Sequence, residues 1–207
     1  MQATNWFLAG GIVMFPLLGF SILAVALIFE RVLFWVKVTK RHDRMIREVL
    51  MLYKRSPRAA FLALEQNTDL PIARIFTAAL ELEGATPEEF RLALESASQA
   101  EIPLLKRFNN IFDTIVSLAP LLGLLGTVLG LINSFANLQL GNIGGTDTAN
   151  VTGGISEALI STASGLVVAI VTLVFSNTFR GLYIRQIALI QEYGGQLELL
   201  YRRRHEK

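Results

Sequence analysis

Three stretches of this chain lack charged side chains and are long enough to cross a lipid bilayer. They are residues 1–29, 114–146 and 158–179, and each exceeds the roughly 20 predominantly apolar residues that a membrane-spanning helix requires. Hydrophobic residues make up 52% of the 207 residues, more than an ordinary soluble domain contains. The sequence therefore predicts an all-α integral membrane protein with three transmembrane helices.

The basic residues predict the orientation of these helices. None of the 19 lysines and arginines lies in residues 1–30 or 108–179. Because cytoplasmic segments carry the excess of basic residues, we expect the N-terminus outside and residues 31–107 and 180–207 mainly inside. The predicted segments are a first transmembrane helix (1–36), a cytoplasmic helical domain (37–107), a second transmembrane helix (108–138), a periplasmic loop (139–154), a third transmembrane helix (155–179) and a cytoplasmic C-terminal helix (180–207).

The internal segment is predicted to be helical throughout. Ser56-Pro57 and Thr86-Pro87 are typical of an N-cap followed by proline at the first helical position, and Glu89 completes a capping box with Thr86. We expect the first span to continue as a helix into the cytoplasm through 36–52. We expect residues 102–113 to lead directly into the second span. In the C-terminal helix, only the pair Gly194-Gly195 interrupts the helical pattern.

No catalytic, cofactor-binding or metal-binding pattern is found in the sequence. The chain has no cysteine and only two histidines, and the glycine-rich residues 141–154 lack the Gly-Lys-Ser/Thr ending of a phosphate loop. We therefore expect neither an enzyme nor a resident cofactor. One basic cluster is interpreted as a face against anionic lipid headgroups rather than a nucleic-acid site; it comprises Lys37, Lys40, Arg41, Arg44 and Arg47.

The third span has one face of small and polar residues and an opposite face of bulky ones. At 100° per residue, Ser161, Thr162 and Gly165 lie on the small face with Ala158, Ala169, Thr172 and Ser176. Bulky residues can face lipid, whereas small and hydroxyl residues belong at close helix contacts or along a wetted path. Glu157 stands at the outer end of this span.

The second span shows the same division. Gly123, Thr127, Gly130 and Ser134 share one face, and Gly126 with Gly130 forms a small-xxx-small spacing. We expect the glycines to admit another helix at close range. Two polar faces on neighbouring spans predict a pore, or a cavity that receives a further helix. The alternative for Thr127 is a hydrogen bond to the carbonyl of Gly123 in its own helix.

Ionisable groups are missing from the middle of the predicted membrane region. Asp113 lies near the inner end of the second span and Glu157 near the outer end of the third. A proton path through a membrane ordinarily uses an ionisable group at depth. If protons cross here, another chain must supply the central carboxylate. The alternative for Glu157 is an interfacial carboxylate that reaches water.

The stretches APLLGLLGTVLGLINSF (119–135) and GGISEALISTASGLVVAI (153–170) resemble the MotA/TolQ/ExbB proton-channel family, especially its ExbB/TolQ branch. The resemblance implies a ring of five copies around the single-span helices of an ExbD- or TolR-like partner that carries an aspartate. It also implies a TonB- or TolA-like protein as a further partner. Thr127, Thr162 and Glu157 match the family's pore threonines and pore glutamate, and Ser161 and Ser134 are expected beside them.

The resemblance implies a subunit in the bacterial inner membrane that uses proton-motive force to drive outer-membrane transport or envelope maintenance. Two features depart from the family pattern. Val171 replaces the proline of an Ala-Ile-Pro element, and Asp113 stands where a small or apolar residue is expected, so it receives no role. The alternatives are a non-conducting membrane scaffold and a Na⁺-driven relative. A small-solute transporter is disfavoured because the sequence has no internal repeat.

Overall fold

The computed structural model describes residue 7 and residues 9–82, 84–139 and 147–206. The helices defined within these residues are α1 (Met14–Arg55), α2 (Pro57–Glu65), α3 (Pro71–Leu80), α4 (Pro87–Leu105), α5 (Asn109–Gln139) and α6 (Asp147–His205). Three helical stretches in this part of the chain are long and apolar enough to cross a membrane. These stretches coincide with α1 and overlap most of α5 and α6, in agreement with the prediction of an all-α protein with three spans.

The chain divides into two compact units. The apolar unit comprises Met1–Glu30 and Phe108–Thr178, and the basic unit comprises Arg31–Arg107 and Phe179–Lys207. All 19 lysines and arginines belong to the basic unit. Charge and compactness therefore divide the chain at nearly the same places.

Within the basic unit, the core is built around the short helix α3. Six of its residues are buried, and the segment begins at a proline whose missing N–H costs nothing at a helix start. The buried residues that complete this core come from the C-terminal half of α1 and from α2, α4 and α6. They include Ile46, Val49, Ala60, Leu64, Phe90, Leu94 and Leu197.

The predicted helix starts are confirmed. Ser56 caps α2 by accepting a hydrogen bond from the backbone N–H of Ala59, with Pro57 at the first helical position. Thr86 and Glu89 form the predicted capping box at the start of α4. Hydrogen bonds from the backbone N–H and the hydroxyl of Thr86 lower the pKa of the Glu89 carboxyl.

An ion pair joins α3 to α4. The Arg74 guanidinium donates to both carboxylate oxygens of Glu101, at 2.7 Å and 2.5 Å, and also to the carbonyl of Thr68 at 2.7 Å. Because Glu101 is buried, its charge requires a partner such as Arg74 that donates two hydrogen bonds. The hydrogen bond to Glu101 raises the pKa of Arg74 despite partial burial.

The last turns of α6 pack on the start of α4, a contact that the sequence did not predict. The rings of Tyr201 and Phe90 stack with centroids 4.0 Å apart. The Tyr201 hydroxyl donates to the carbonyl of Ala85 at 2.6 Å. Burial, followed by the charge of Glu89, raises the pKa of this tyrosine. The aromatic body thus fills the core while its polar tip satisfies a carbonyl outside the helix.

In the apolar unit, the first predicted span becomes a continuous helix only at Met14. A turn at 10–13 precedes it, and Gly11 has a φ of +73°, a conformation that side chains with a Cβ avoid. Residues 1–6 and 8 of the predicted first span lie outside the described residues. Beyond Met14, α1 continues unbroken to Arg55, which confirms the predicted helix through 36–52.

Three expectations about helix boundaries were wrong. Residues 102–113 do not lead directly into the second span, because α4 ends at Leu105 and Phe108 adopts a φ of 69° before α5 begins. Residues 147–154 of the predicted loop belong to α6, and the helix can approach α5 closely there because Gly154 has no side chain. The pair Gly194-Gly195 does not interrupt α6, since the surrounding turns keep the helix intact. Residues 140–146 of that loop lie outside the described residues.

Asp69 ties α1 to the turn before α3. Its carboxylate lies 3.0 Å from Lys37 Nζ and 2.5 Å from an Arg41 guanidinium nitrogen. Burial acts to raise the pKa of Asp69, but the Lys37 hydrogen bond and the two positive charges outweigh it and lower the pKa. The carboxylate therefore stabilises the fold above its ordinary pKa, and this contribution is lost as pH falls through the lowered folded-state pKa.

We expect Asp69→Asn to remove part of the acid-induced loss of stability. Because the pair is partly exposed, the difference at neutral pH should stay below about 1 kcal/mol. The measurement is thermal unfolding of the purified protein between neutral pH and pH 3. Glu65→Gln, at an exposed carboxyl on α2, serves as the control. An identical pH profile for Asp69→Asn and the unsubstituted protein would contradict this role.

Candidate functional site

The candidate site lies where α5 and α6 touch in the apolar unit. The two helices run antiparallel, since Gly130 meets the backbone near Gly154 while Gly123 meets Thr162 further down. A Cβ added at Gly126 would overlap the Ser161 side chain, and one added at Gly130 would lie 2.7 Å from the Gly154 carbonyl oxygen. The glycines therefore allow a backbone approach that any larger residue would prevent.

The contact continues toward the inner ends of these segments. A Cβ at Gly123 would lie 3.0 Å from both the Ser161 carbonyl oxygen and the Thr162 Cα. A Cβ at Gly165 would overlap the carbonyl oxygen of Ala119. All four glycines assigned from sequence to helix packing thus stand in the α5–α6 contact.

The carbonyl of Gly123 is the polar centre of this contact. The Thr162 hydroxyl donates to it at 3.0 Å, across the two helices. The Ser161 hydroxyl lies 3.4 Å from the same oxygen and donates to the carbonyl of Ala158 at 2.9 Å. With no side chain on Gly123 to cover it, this carbonyl is open to hydroxyls from the neighbouring helix.

The sequence offered a hydrogen bond from Thr127 to the Gly123 carbonyl as an alternative, and the structure shows that this alternative was wrong. The Thr127 hydroxyl donates to the carbonyl of Leu124 at 2.6 Å, while the Gly123 carbonyl receives the hydroxyl of Thr162. Both threonines are half-buried. A hydroxyl has one hydrogen to donate and two lone pairs. In this arrangement both hydrogens go to backbone carbonyls, so each oxygen can only accept from an approaching group.

Ser161 and Ser134 lie inside the helix contact rather than on an exposed face. Their exposed fractions are 0% and 2%. The Ser134 hydroxyl donates to the carbonyl of Gly130 at 2.9 Å, and a Cβ at Gly154 would overlap the Ser134 side chain. A direct lining role for these serines stays a prediction. In the single chain they satisfy polar groups where α5 and α6 meet.

Glu157 is half-buried and lies against the turn that precedes α1. A side chain at Gly11 would overlap its carboxylate, so the left-handed turn and the absent Cβ together make room for Glu157. The sequence contained no signal for this contact. Asp113 lies 14 residues before Thr127 on α5, about 20 Å along a helix, so the structure does not bring it to the threonines.

The small face predicted for α6 also continues beyond Thr162 toward the C-terminal end of the span. Thr172 and Ser176 are both buried, and the Thr172 hydroxyl donates to the carbonyl of Val168 at 2.7 Å. Ala169 joins Val13, Leu17 and Ala119 in a buried apolar cluster. The helical projection had placed these α6 residues on one face, but the sequence did not indicate which neighbour would cover them.

Comparison with known proteins identifies the architecture. The sequence profile of the MotA/TolQ/ExbB proton channel family matches residues 67–192.

The chain belongs to this family.

A Synechocystis protein whose provisional name is biopolymer transport protein ExbB-like 3 is 62% identical over 200 residues, covering 97% of this chain and 95% of the relative. A second Synechocystis protein, provisionally named biopolymer transport protein ExbB-like 1, is 43% identical over 95% of this chain and 78% of its own length. The biopolymer transport protein ExbB of Salmonella typhimurium is 44% identical over 73 residues, covering 35% of this chain and 29% of the relative.

Membership in this family and the three apolar helices make the chain a multi-pass membrane protein of the ExbB-like branch. The family is one of channel and transport subunits. The Salmonella match is confined to about a third of each chain, whereas the Synechocystis matches cover nearly all of this one.

We expect Gly165→Ala to destabilise the apolar unit, because the new methyl group collides with a backbone carbonyl that cannot rotate away. The cost should be about 1–3 kcal/mol, as for other overpacked sites. Gly19→Ala is the matched control, since apart from its own stretch of helix backbone no described heavy atom lies within 4 Å of the added methyl group. Helix propensity should make that variant up to about 1 kcal/mol more stable. Unfolding in mixed detergent micelles measures both, and equal stabilities would contradict the close contact.

Proposed function

We propose that this chain is the ring-forming subunit of a motor driven by proton-motive force. It works with an ExbD- or TolR-like single-span partner and energises outer-membrane transport or envelope maintenance through a TonB- or TolA-like protein. The family match and the names of the relatives support the transport part of this proposal. The protein would lie in the bacterial inner membrane with the basic unit in the cytoplasm, as the distribution of lysine and arginine favours.

The arrangement around the Gly123 carbonyl is the observation that carries the proposal. Thr162 bonds to the carbonyl of Gly123, and Thr127 lies about one helical turn from Gly123 on α5. Both threonines belong to a unit that contains no lysine or arginine. Because both hydroxyls already donate to backbone carbonyls, each oxygen can still accept a hydrogen bond from a protonated carboxyl or from a proton-carrying water. The sequence has no ionisable residue between Asp113 and Gln139 or between Glu157 and Phe179. A partner's aspartate at that depth would complete the relay.

Glu157 would act at the outer end of the same path. It lies five residues before Thr162 on α6, about 7.5 Å along the helix. A half-buried carboxylate there attracts protons toward the threonine level. The exposed apolar faces of α1 and α5 would contact lipid and further copies of the chain in a ring of five. These faces include Phe15, Ile22 and Phe29 on α1 and Leu121 and Leu124 on α5.

The burial of Ser161 and Ser134 favours a second candidate function, a non-conducting scaffold. In that case the hydroxyls serve only to satisfy polar groups at a close helix contact. A Na⁺-driven relative is a further alternative, because acceptor-only hydroxyl oxygens can also contribute to the coordination of a hard cation.

Replacing both pore threonines should distinguish the motor from the scaffold. We expect the Thr127→Val, Thr162→Val double variant to assemble with its partner but to lose partner-dependent proton flux, because valine keeps the shape and removes the acceptor oxygens. Thr178→Val is the matched control: its exposed hydroxyl also donates within α6, to Val174, and it lies about 160° around the helix from Thr162. Proton uptake by proteoliposomes gives the readout. Normal flux in the assembled double variant would refute the assigned roles.

Native mass spectrometry of the solubilised protein tests the assembly directly. We expect five copies of the chain when it is purified alone, and the same ring with partner helices added after co-expression. The repeated exposed apolar face on each copy is the physical reason for a closed ring. A monomer or dimer that does not bind the partner would instead favour the scaffold.

Replacing Na⁺ by K⁺ in the flux assay separates the proton-driven motor from the Na⁺-driven relative.

A further inference from the structure

A small polar cavity lies in the basic unit, between α1 and α6. Its volume is about 30 Å³, enough for one water-sized occupant. Trp35, His42 and Gln186 form its buried floor, and each is at most 4% exposed. Thr39 and Arg185 line it from exposed positions and so mark its mouth. Two leucines, Leu182 and Leu189, complete the wall.

The Trp35 and Gln186 donors on the floor lack hydrogen-bond partners, and the His42 imidazole lies beside them. The Trp35 indole Nε1 and the Gln186 amide nitrogen are buried, and no atom of the described residues accepts a hydrogen bond from either. A buried donor without a partner destabilises the fold, so two of them beside one cavity indicate that the cavity is normally filled. The indole nitrogen can only donate, which restricts the occupant to one that accepts hydrogen bonds.

The charge around the cavity favours an anion over a water molecule. None of the described residues that line it carries a carboxylate, while Arg185 stands at its mouth. Arg185 forms no ion pair with any residue in the described part of the chain. A water molecule could also accept from the two donors and could donate to the His42 ring or the Thr39 hydroxyl, but it carries no charge to compensate the guanidinium. A small anion accepts from both nitrogen atoms and compensates the guanidinium charge.

We propose that this cavity binds a single monatomic anion, chloride under ordinary conditions, held by Trp35 and Gln186 and neutralised by Arg185. The volume excludes deep entry of a phosphodiester group. The bound ion links α1 to α6 inside the basic unit and stabilises their contact. It takes no part in the proton relay proposed above, which lies in the other unit.

The first test is the dependence of thermal stability on the anion. The full-length chain, in detergent with its co-expressed partner, is melted at constant ionic strength while chloride replaces methanesulfonate, an anion too large for the cavity. We expect a saturable rise in melting temperature of about 2–4 °C as chloride replaces methanesulfonate. Equal melting temperatures in the two salts would overturn the proposal and leave water as the occupant.

Two variants locate the effect. Trp35→Phe removes the indole donor and Gln186→Leu removes the amide, and each should abolish the chloride dependence. Gln196→Leu is the matched control on the same helix, because Gln196 is exposed and donates only to the neighbouring Glu192 side chain. This control should retain the full chloride-dependent shift. A shift that persists in both cavity variants would overturn the assignment of the site.

Bromide diffraction keeps the proposal testable even if both variants misfold. Crystals of the unsubstituted protein grown in bromide should show an anomalous peak within hydrogen-bond distance of Trp35 Nε1. No peak at that position would refute the site. If stability follows the anionic lipid content of the micelle and ignores chloride, a lipid phosphate at the mouth is the ligand instead, and the proposal fails.

Discussion

The apolar unit depends on one constraint: polar groups that are shielded from water must find partners within the protein. Around the Gly123 carbonyl, this constraint and close packing are met by the same residues. Glycine opens the helix surface and brings α6 near, and the approach lets Thr162 reach a carbonyl of the other helix. A larger side chain at this position would separate the helices and cover the carbonyl at once. The packing residues and the polar residues therefore form a single arrangement.

The basic unit is stabilised by different interactions. Its helix starts are fixed by local side-chain caps, and its buried charge Glu101 is matched by Arg74 with two hydrogen bonds. Aromatic stacking of Tyr201 on Phe90 joins segments more than a hundred residues apart in sequence. The two units therefore use short polar contacts differently. In the apolar unit the contacts described above lie between backbone carbonyls and hydroxyls, whereas the basic unit adds contacts between charged side chains.

The sequence predicted well what depends on local pattern. Span number, the helix starts at Ser56 and Thr86, and the small face of α6 follow from hydropathy, capping chemistry and the 100° helical repeat. It failed where tertiary packing overrides local preference. Phe108 adopts a left-handed backbone conformation, which a phenylalanine in a sequence does not predict. Gly154 lies within a helix, although glycine ordinarily indicates a loop. Contacts between distant residues, such as Gly11 with Glu157, leave no trace in a single sequence.

The confinement of every lysine and arginine to one unit also bears on how the protein is made. Arg31, Arg107 and Arg180 each stand at a boundary between the two units, and each borders a long segment without basic residues. In the proposed orientation, a basic residue stands near the cytoplasmic end of each span, and such residues disfavour transfer of the flanking segment across the membrane. The insertion machinery can then orient every span as it emerges from the ribosome. Topology would thus be fixed during translation, before any copy of the chain meets another.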